Sequence, residues 1–321
     1  MSDSPFRERF PWIGGDLQTV RNYLVPPRRA LDSWPAERLE IEAADGSGDR
    51  FLAARHRPTP ERARADAPLA ILVHGLTGCE GSFYVLETAR YLLSQGVPVL
   101  RLNLRGAGPS RATCGGHYSA ASHADVGRVV SAVGGDMAVV GYSLGGSIVL
   151  QYLAEAGASA GLRAAVAVST PIDLAATANR MMRPRNALYH RWLLARMKEE
   201  ALAGAARLAS GEREAILGAR DVVGFDEAFV APRNGFAGAE DYYKRCSAAG
   251  RLGDIRLPTL LIRGRNDPWI PPGAYDALEL PAGGAVRLAF AGGGGHVGFH
   301  GAGCETPWHN RMILRHLVGP V

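Results

Sequence analysis

The chain of 321 residues is 47% hydrophobic and 21% charged, with a formal net charge of +5. That balance fits a globular protein with a sizeable core and excludes a disordered, fibrous or multi-span membrane chain. The mild basicity reads as solvated surface, so no nucleic-acid partner is expected.

Cys79, Cys114, Cys246 and Cys304 lie far apart, without CxxC or metal-ligand spacing. They read as reduced thiols, and neither a metal nor an organic cofactor is expected. The opening stretch MSDSPFRERFPWIGGDLQTV lacks the apolar segment and cleavage pattern of a signal peptide. No run approaches the ~18 to 20 apolar residues of a spanning helix, so the sequence predicts a cytoplasmic protein with no stable membrane anchor.

In chain order, RLEIEAADGSGDRFLAARHRP (38–58) alternates apolar and polar residues around DGSG, which predicts a β-hairpin. APLAILVHG (67–75) is a continuous apolar run of the kind that forms buried parallel strands. A helix follows over 83–95, stopping at Gly96, then a strand over 97–104 and a helix near 122–134. DMAVVGY predicts a strand, SLGGSIVLQYLAEAG a helix, and LRAAVAVSTP another strand. From 175 to 255 the pattern is helical, including RWLLARMKEEALAGAARLAS, with no convincing strand. Alternation resumes with the strand LPTLLIRG, a helix near 272–279, the strand AVRLAFAGG and a helix over 306–318.

Alternating strands and helices with short connections predict an α/β fold: a mostly parallel sheet flanked by helices. The expected organisation is 1–174 as an N-terminal arm and the first part of the core, 175–255 as a helical lid insertion, and 256–321 as the rest of the core.

Between a predicted strand and a predicted helix stands Gly141-Tyr142-Ser143-Leu144-Gly145, a G-x-S-x-G. The pentapeptide alone is unspecific, but strand–serine–helix is the context of a nucleophile elbow. There the serine sits at a strained turn, and the flanking glycines remove side chains that would collide. Helix N-terminal amides, beginning with Leu144, favour negative charge beside it. After the strand 67–75 comes His74-Gly75-Leu76, where the backbone N–H of Leu76 is the expected second oxyanion donor. His74, at a strand end ahead of both motifs, is expected to be structural.

A serine nucleophile requires a base and a carboxylate to orient it. Asp267 lies in the turn RNDPWIPP after LPTLLIR and is the preferred acid; Asp173 in STPIDL is the runner-up. His296 lies in AGGGGHVGFHG after the last strand, which completes the order nucleophile, acid, base. The same glycines match G-x-G-x-x-G, but no second strand follows and Glu305 is the last acidic residue, so a dinucleotide site is excluded. His300 is expected to be structural or at the rim.

The stretches GGDLQTV, HGLTGCEGSFY, LNLRGAGPS, VGYSLGGSIVLQYLAEAG, DYYKRCSA, PTLLIRGRNDPWI and GGGGHVGF together resemble the α/β-hydrolase superfamily, and more narrowly its YheT-like branch with the related ABHD-type esterases. The resemblance implies an α/β-hydrolase fold with nucleophile, acid and base at Ser143, Asp267 and His296. It implies a carboxylic ester hydrolase acting on a small-molecule ester with a lipophilic, short- to medium-chain acyl group. Some fungal relatives make and cleave medium-chain ethyl esters, and some animal relatives act on phospholipids. One departure is Asp16, where the family's N-terminal motif usually has histidine; it bears on how the N-terminal arm docks. The same three residues would serve an acyltransferase with an alcohol acceptor, whereas a non-catalytic scaffold would be expected to have lost one of them. The insertion carries Arg180, Arg183, Arg185, Arg191, Arg196 and Lys198, read as solvated surface before acidic head-group recognition. Its Met181, Met182, Leu188, Trp192, Leu193 and Leu194 could line an acyl pocket or simply pack on the core.

Overall fold

A computed structural model of the chain describes residues 6–25, 31–203, 207–280 and 283–319. The hairpin forms as its alternation predicts: β1 (Glu37–Glu42) pairs antiparallel with β2 (Arg50–His56), Glu37 opposite Arg55 and Glu42 opposite Arg50. Gly46 and Gly48 take the positive φ that the turn requires.

Six further strands follow: β3 (Leu69–Val73), β4 (Val99–Leu102), β5 (Met137–Tyr142), β6 (Ala164–Val168), β7 (Thr259–Gly264) and β8 (Val286–Ala291). They form one sheet in the order β1-β2-β4-β3-β5-β6-β7-β8, antiparallel across β1, β2 and β4 and parallel beyond. All residues of β3, β5, β6 and β7 are buried, which explains why these strands read as unbroken apolar runs.

Successive residues feed opposite cores. Ile71, Val73 and Val139 point into one, Leu72, Val140 and Val166 into the other. The second core is closed by α2 (Phe83–Ser94) and a C-terminal helix, Trp308–Val318, through Leu92, Leu93, Ile313 and Leu314. The first is closed by α3 (His123–Val133) and α4 (Leu144–Ala156) through Val126, Val129, Ile148 and Leu153. Gly96 ends α2 with φ +84°, and a side chain there would strike the Arg62 carbonyl.

Between β6 and β7 lie α5 (Leu174–Met181), α6 (Ala187–Leu202), α7 (Glu212–Gly218), α8 (Val222–Phe225), a π-helical stretch Asp226–Val230, α9 (Ala231–Arg233) and α10 (Ala239–Cys246), with no strand among the described residues. Leu193, Met197, Phe225 and Phe229 belong to the same buried cluster as Ile71, Val139 and Ile148, so these helices share the core of the sheet. The helical pattern expected through 210 stops at Leu202; residues 204–206 lie outside the described residues, and 207–209 are not helical. The short α11 (Pro272–Asp276) and α12 (Trp308–Val318) complete the set. One helix escapes the sequence reading: α1 (Gly15–Leu24), which lies against the loop after β8.

Candidate active site

Ser143 occupies the turn from β5 into α4 with φ +50° and ψ −124°, a conformation costing roughly 1–3 kcal/mol for a non-glycine residue. The packing allows nothing larger than glycine at positions 141, 145 and 146. A side chain at Gly145 would strike the His74 carbonyl, and one at Gly141 would lie 2.5 Å from the Gly145 carbonyl oxygen. A side chain on Gly146 would run into Thr170. The Ser143 N–H is held by the Val168 carbonyl at 2.9 Å, which anchors the turn to β6.

His296 Nε2 lies 2.9 Å from Ser143 Oγ, and its Nδ1 lies 3.0 Å from Asp267 Oδ2. A carboxylate oxygen accepts, so with the ring hydrogen on Nδ1 the Nε2 lone pair faces the serine hydroxyl. Asp267 Oδ1 accepts from the N–H groups of Trp269 and Ile270 at 2.8 and 3.1 Å, which fixes the carboxylate after β7. The Trp269 indole stacks on His296 with ring centres 4.3 Å apart, a contact that nothing in the sequence pattern announced. Asp173, the runner-up acid, instead caps α5 by accepting from the Ala176 N–H at 2.9 Å.

The loop after β3 is pinned on both sides of Leu76. Gly75 N–H donates to Tyr84 Oη at 2.9 Å, and Thr77 N–H donates to Tyr118 Oη at 2.7 Å. Among the described residues neither the Leu76 nor the Leu144 N–H meets a protein acceptor. Both N–H groups are unengaged by protein acceptors beside Ser143. Gly75 is required for the approach, since a Cβ there would sit 2.9 Å from that of Ser143. His74 is fully buried, with Nε2 accepting from the Leu104 N–H at 3.1 Å and Nδ1 donating to the Gly75 carbonyl at 2.8 Å; burial lowers its pKa to about 4. It is a neutral brace for the loop.

The histidine loop is braced from outside the sheet. Thr19 Oγ1 on α1 accepts from the His296 N–H at 2.8 Å. Gln18 Oε1 accepts from the His300 N–H, and His300 Nε2 lies 2.7 Å from Asn22 Oδ1. Glu8 accepts from the Gly294 N–H at 2.8 Å. Side chains at Gly295 and Gly298 would collide with the backbone of α1, which gives these glycines a packing reason. Val297, a β-branched residue, is held at φ +53° beside His296, and its N–H donates to Ser169 Oγ. The sequence signal for this brace was GGDLQTV itself, whose Gly15, Gln18 and Thr19 all touch the loop.

Ser143 and His296 open on a cavity of about 1280 Å³, counting its mouth. Its walls include Leu76, Phe83, Met181, Trp192, Leu193 and Phe225, so the insertion supplies much of the lining. Two buried carboxyls also line it. Burial raises Glu200 to a pKa of about 7 against the lowering effect of its hydrogen bond from Tyr118, and burial raises Asp226 to about 7 against that from Tyr243.

A strained serine, a histidine with a free lone pair and a buried carboxylate, set at the C-terminal edge of a mostly parallel sheet, define a class of fold and site. The chain belongs to the alpha/beta hydrolase fold family, whose sequence profile matches residues 68–302. It is similar to the provisionally named esterase YheT of Escherichia coli, 35% identical over 55% of this chain and 52% of that protein. It is also similar to the medium-chain fatty acid ethyl ester synthase/esterase 2 of Saccharomyces cerevisiae, 27% identical over 66% of this chain and 54% of that protein. The match thus spans about half the length of each of these relatives. These matches agree with the YheT/ABHD-type resemblance. Among solved structures, a thermophilic esterase from Thermogutta terrifontis shares the fold with a TM-score of 0.54, at 19% identity over 88% of this chain and all of that one. No helix among the described residues is long and apolar enough to cross a membrane.

Proposed function

We propose that the protein is a serine hydrolase of carboxylic esters with a lipophilic acyl chain. The observation that carries this reading is the continuous hydrogen-bonded line from Ser143 through His296 to Asp267, beside two unengaged N–H groups. His296 Nε2 takes the Ser143 proton as Oγ attacks the ester carbonyl. The Leu76 and Leu144 amides hold the tetrahedral oxyanion, each such donor being worth roughly 3–4 kcal/mol of barrier. Asp267 keeps Nδ1 protonated and stabilises the imidazolium that forms. His296 then delivers the proton to the departing alcohol, leaving an acyl group on Ser143 that water releases by the reverse proton path.

The apolar cavity is the acyl pocket, and the helices from α5 to α10 act as its lid. The name of the yeast relative, an ethyl ester synthase/esterase, supports a medium-chain acyl group. A series of p-nitrophenyl esters from acetate to palmitate tests the assignment. The wild type should turn over one part of the series and Ser143→Ala should lose that turnover; an inactive wild type or an active alanine variant refutes it.

A further inference from the structure

Helix α1 is built inside out. Its buried residues are polar (Gln18, Thr19 and Asn22), while Leu17 and Leu24 are 43% and 66% exposed. At helical spacing Leu17 and Leu24, seven apart, share one outward stripe. Asp16 and Tyr23 share the neighbouring stripe, which meets the insertion. Asp16 forms an ion pair with Arg185 at 2.6 Å and accepts from Tyr189 Oη at 3.0 Å, and the Tyr23 ring lies 5.4 Å from that of Trp192. Leu188, one turn before Trp192 on α6, is 80% exposed. Phe10 and Ile13, just ahead of α1, are exposed as well.

Tyr23 and Trp192 also line the cavity that opens on Ser143, so this apolar surface borders its mouth. The buried polar groups are satisfied by the histidine loop, so what sets α1 apart is its exposed leucines beside the cavity mouth, apolar surface of the kind that another phase covers. The charges around it say which phase. From 183 to 199 the chain carries Arg183, Arg185, Arg191, Arg196 and Lys198 against one acid, Glu199. Arg185 and Arg196 pair with Asp16 and Glu199, whereas Arg183 and Arg191 are exposed and form no ion pair among the described residues. A second copy of the chain would bring these cations face to face. An anionic lipid surface takes both the leucines and the arginines.

We propose that this face docks the protein on an anionic lipid surface. Leu17, Leu24 and Leu188 enter the acyl layer, Arg183 and Arg191 meet the phosphates, and the cavity mouth opens onto the lipid. Docking requires no turnover, so it stands or falls separately from the hydrolase reading.

The test is co-sedimentation of the full chain with vesicles of phosphatidylcholine alone or mixed with phosphatidylglycerol. The wild type and Ser143→Ala should both sediment with the mixed vesicles, less so at high salt. The combined variant Leu17→Ser, Leu24→Ser, Leu188→Ser should bind roughly tenfold more weakly or worse, given the apolar area lost from each leucine. Leu188→Ser alone, at the most exposed of the three, serves if thermal melting shows the combined variant unfolded, and it should still weaken binding. The proposal is overturned if the wild type stays in the supernatant. It is overturned equally if the folded leucine variants bind like the wild type, or if the wild type is a dimer that these substitutions dissociate.

Discussion

Replacing Asp226 by asparagine should stabilise the protein at pH 8 far more than at pH 5. The Asp226 carboxyl is buried within the insertion and receives one hydrogen bond, from Tyr243 Oη at 2.6 Å. Burial raises its pKa from 3.8 to about 7. A carboxyl with a raised folded-state pKa holds its proton in the folded protein after the unfolded chain has released it. Stability therefore falls as pH rises from about 4, where the unfolded state is ionising, through about 7, where the folded state ionises. At 1.36 kcal/mol per pK unit, the loss attributable to this group between pH 5 and 8 is roughly 2–3 kcal/mol. Asparagine keeps the size and cannot ionise, so its advantage should grow by that amount over the interval. Urea denaturation of wild type and Asp226→Asn at both pH values, with equal slopes confirming comparable exposed surface, measures it. An advantage that stays constant between pH 5 and 8 refutes the reasoning.

Glu200, with a pKa raised to about 7 by burial, should behave the same way, and Glu200→Gln should show a similar pH-dependent gain. Thr19→Val removes the acceptor for the His296 N–H and should lower kcat roughly tenfold or more by loosening the base. Thr19→Ser should restore activity, which a purely volumetric role for the methyl group would not allow. Asp267→Asn should lower kcat/KM by roughly 10³ to 10⁴, because the histidine tautomer is no longer enforced. Asp173→Asn should stay near wild type, since asparagine caps a helix about as well as aspartate.

The sheet was legible because its central strands are buried on both faces, which leaves unbroken runs such as LAILV and AVVGY bounded by glycine or polar turns. The three candidate residues could be ordered because each lies just after a readable strand: Ser143 after β5, Asp267 after β7 and His296 after β8. Helix α1 was not legible for the opposite reason. Periodicity methods look for apolar residues facing inward, and α1 buries Gln18, Thr19 and Asn22 because they bond to backbone and side-chain groups of the histidine loop. Trp269 was invisible as a site residue because its stacking depends on the geometry of a turn, which no periodicity encodes. Asp16 meets Arg185 and Tyr189, 169 and 173 residues further along the chain, a pairing no local pattern encodes.

Covalent trapping at Ser143 tests the central claim most directly. Incubation with a fluorophosphonate, followed by intact mass and peptide mapping, should add one phosphonyl group to the wild type, on the peptide containing Gly141-Tyr142-Ser143. Ser143→Ala should add none, and His296→Ala should label far more slowly because the hydroxyl keeps its proton. Absence of labelling in an ester-hydrolysing wild type, or a phosphonyl group on another residue, would contradict the account.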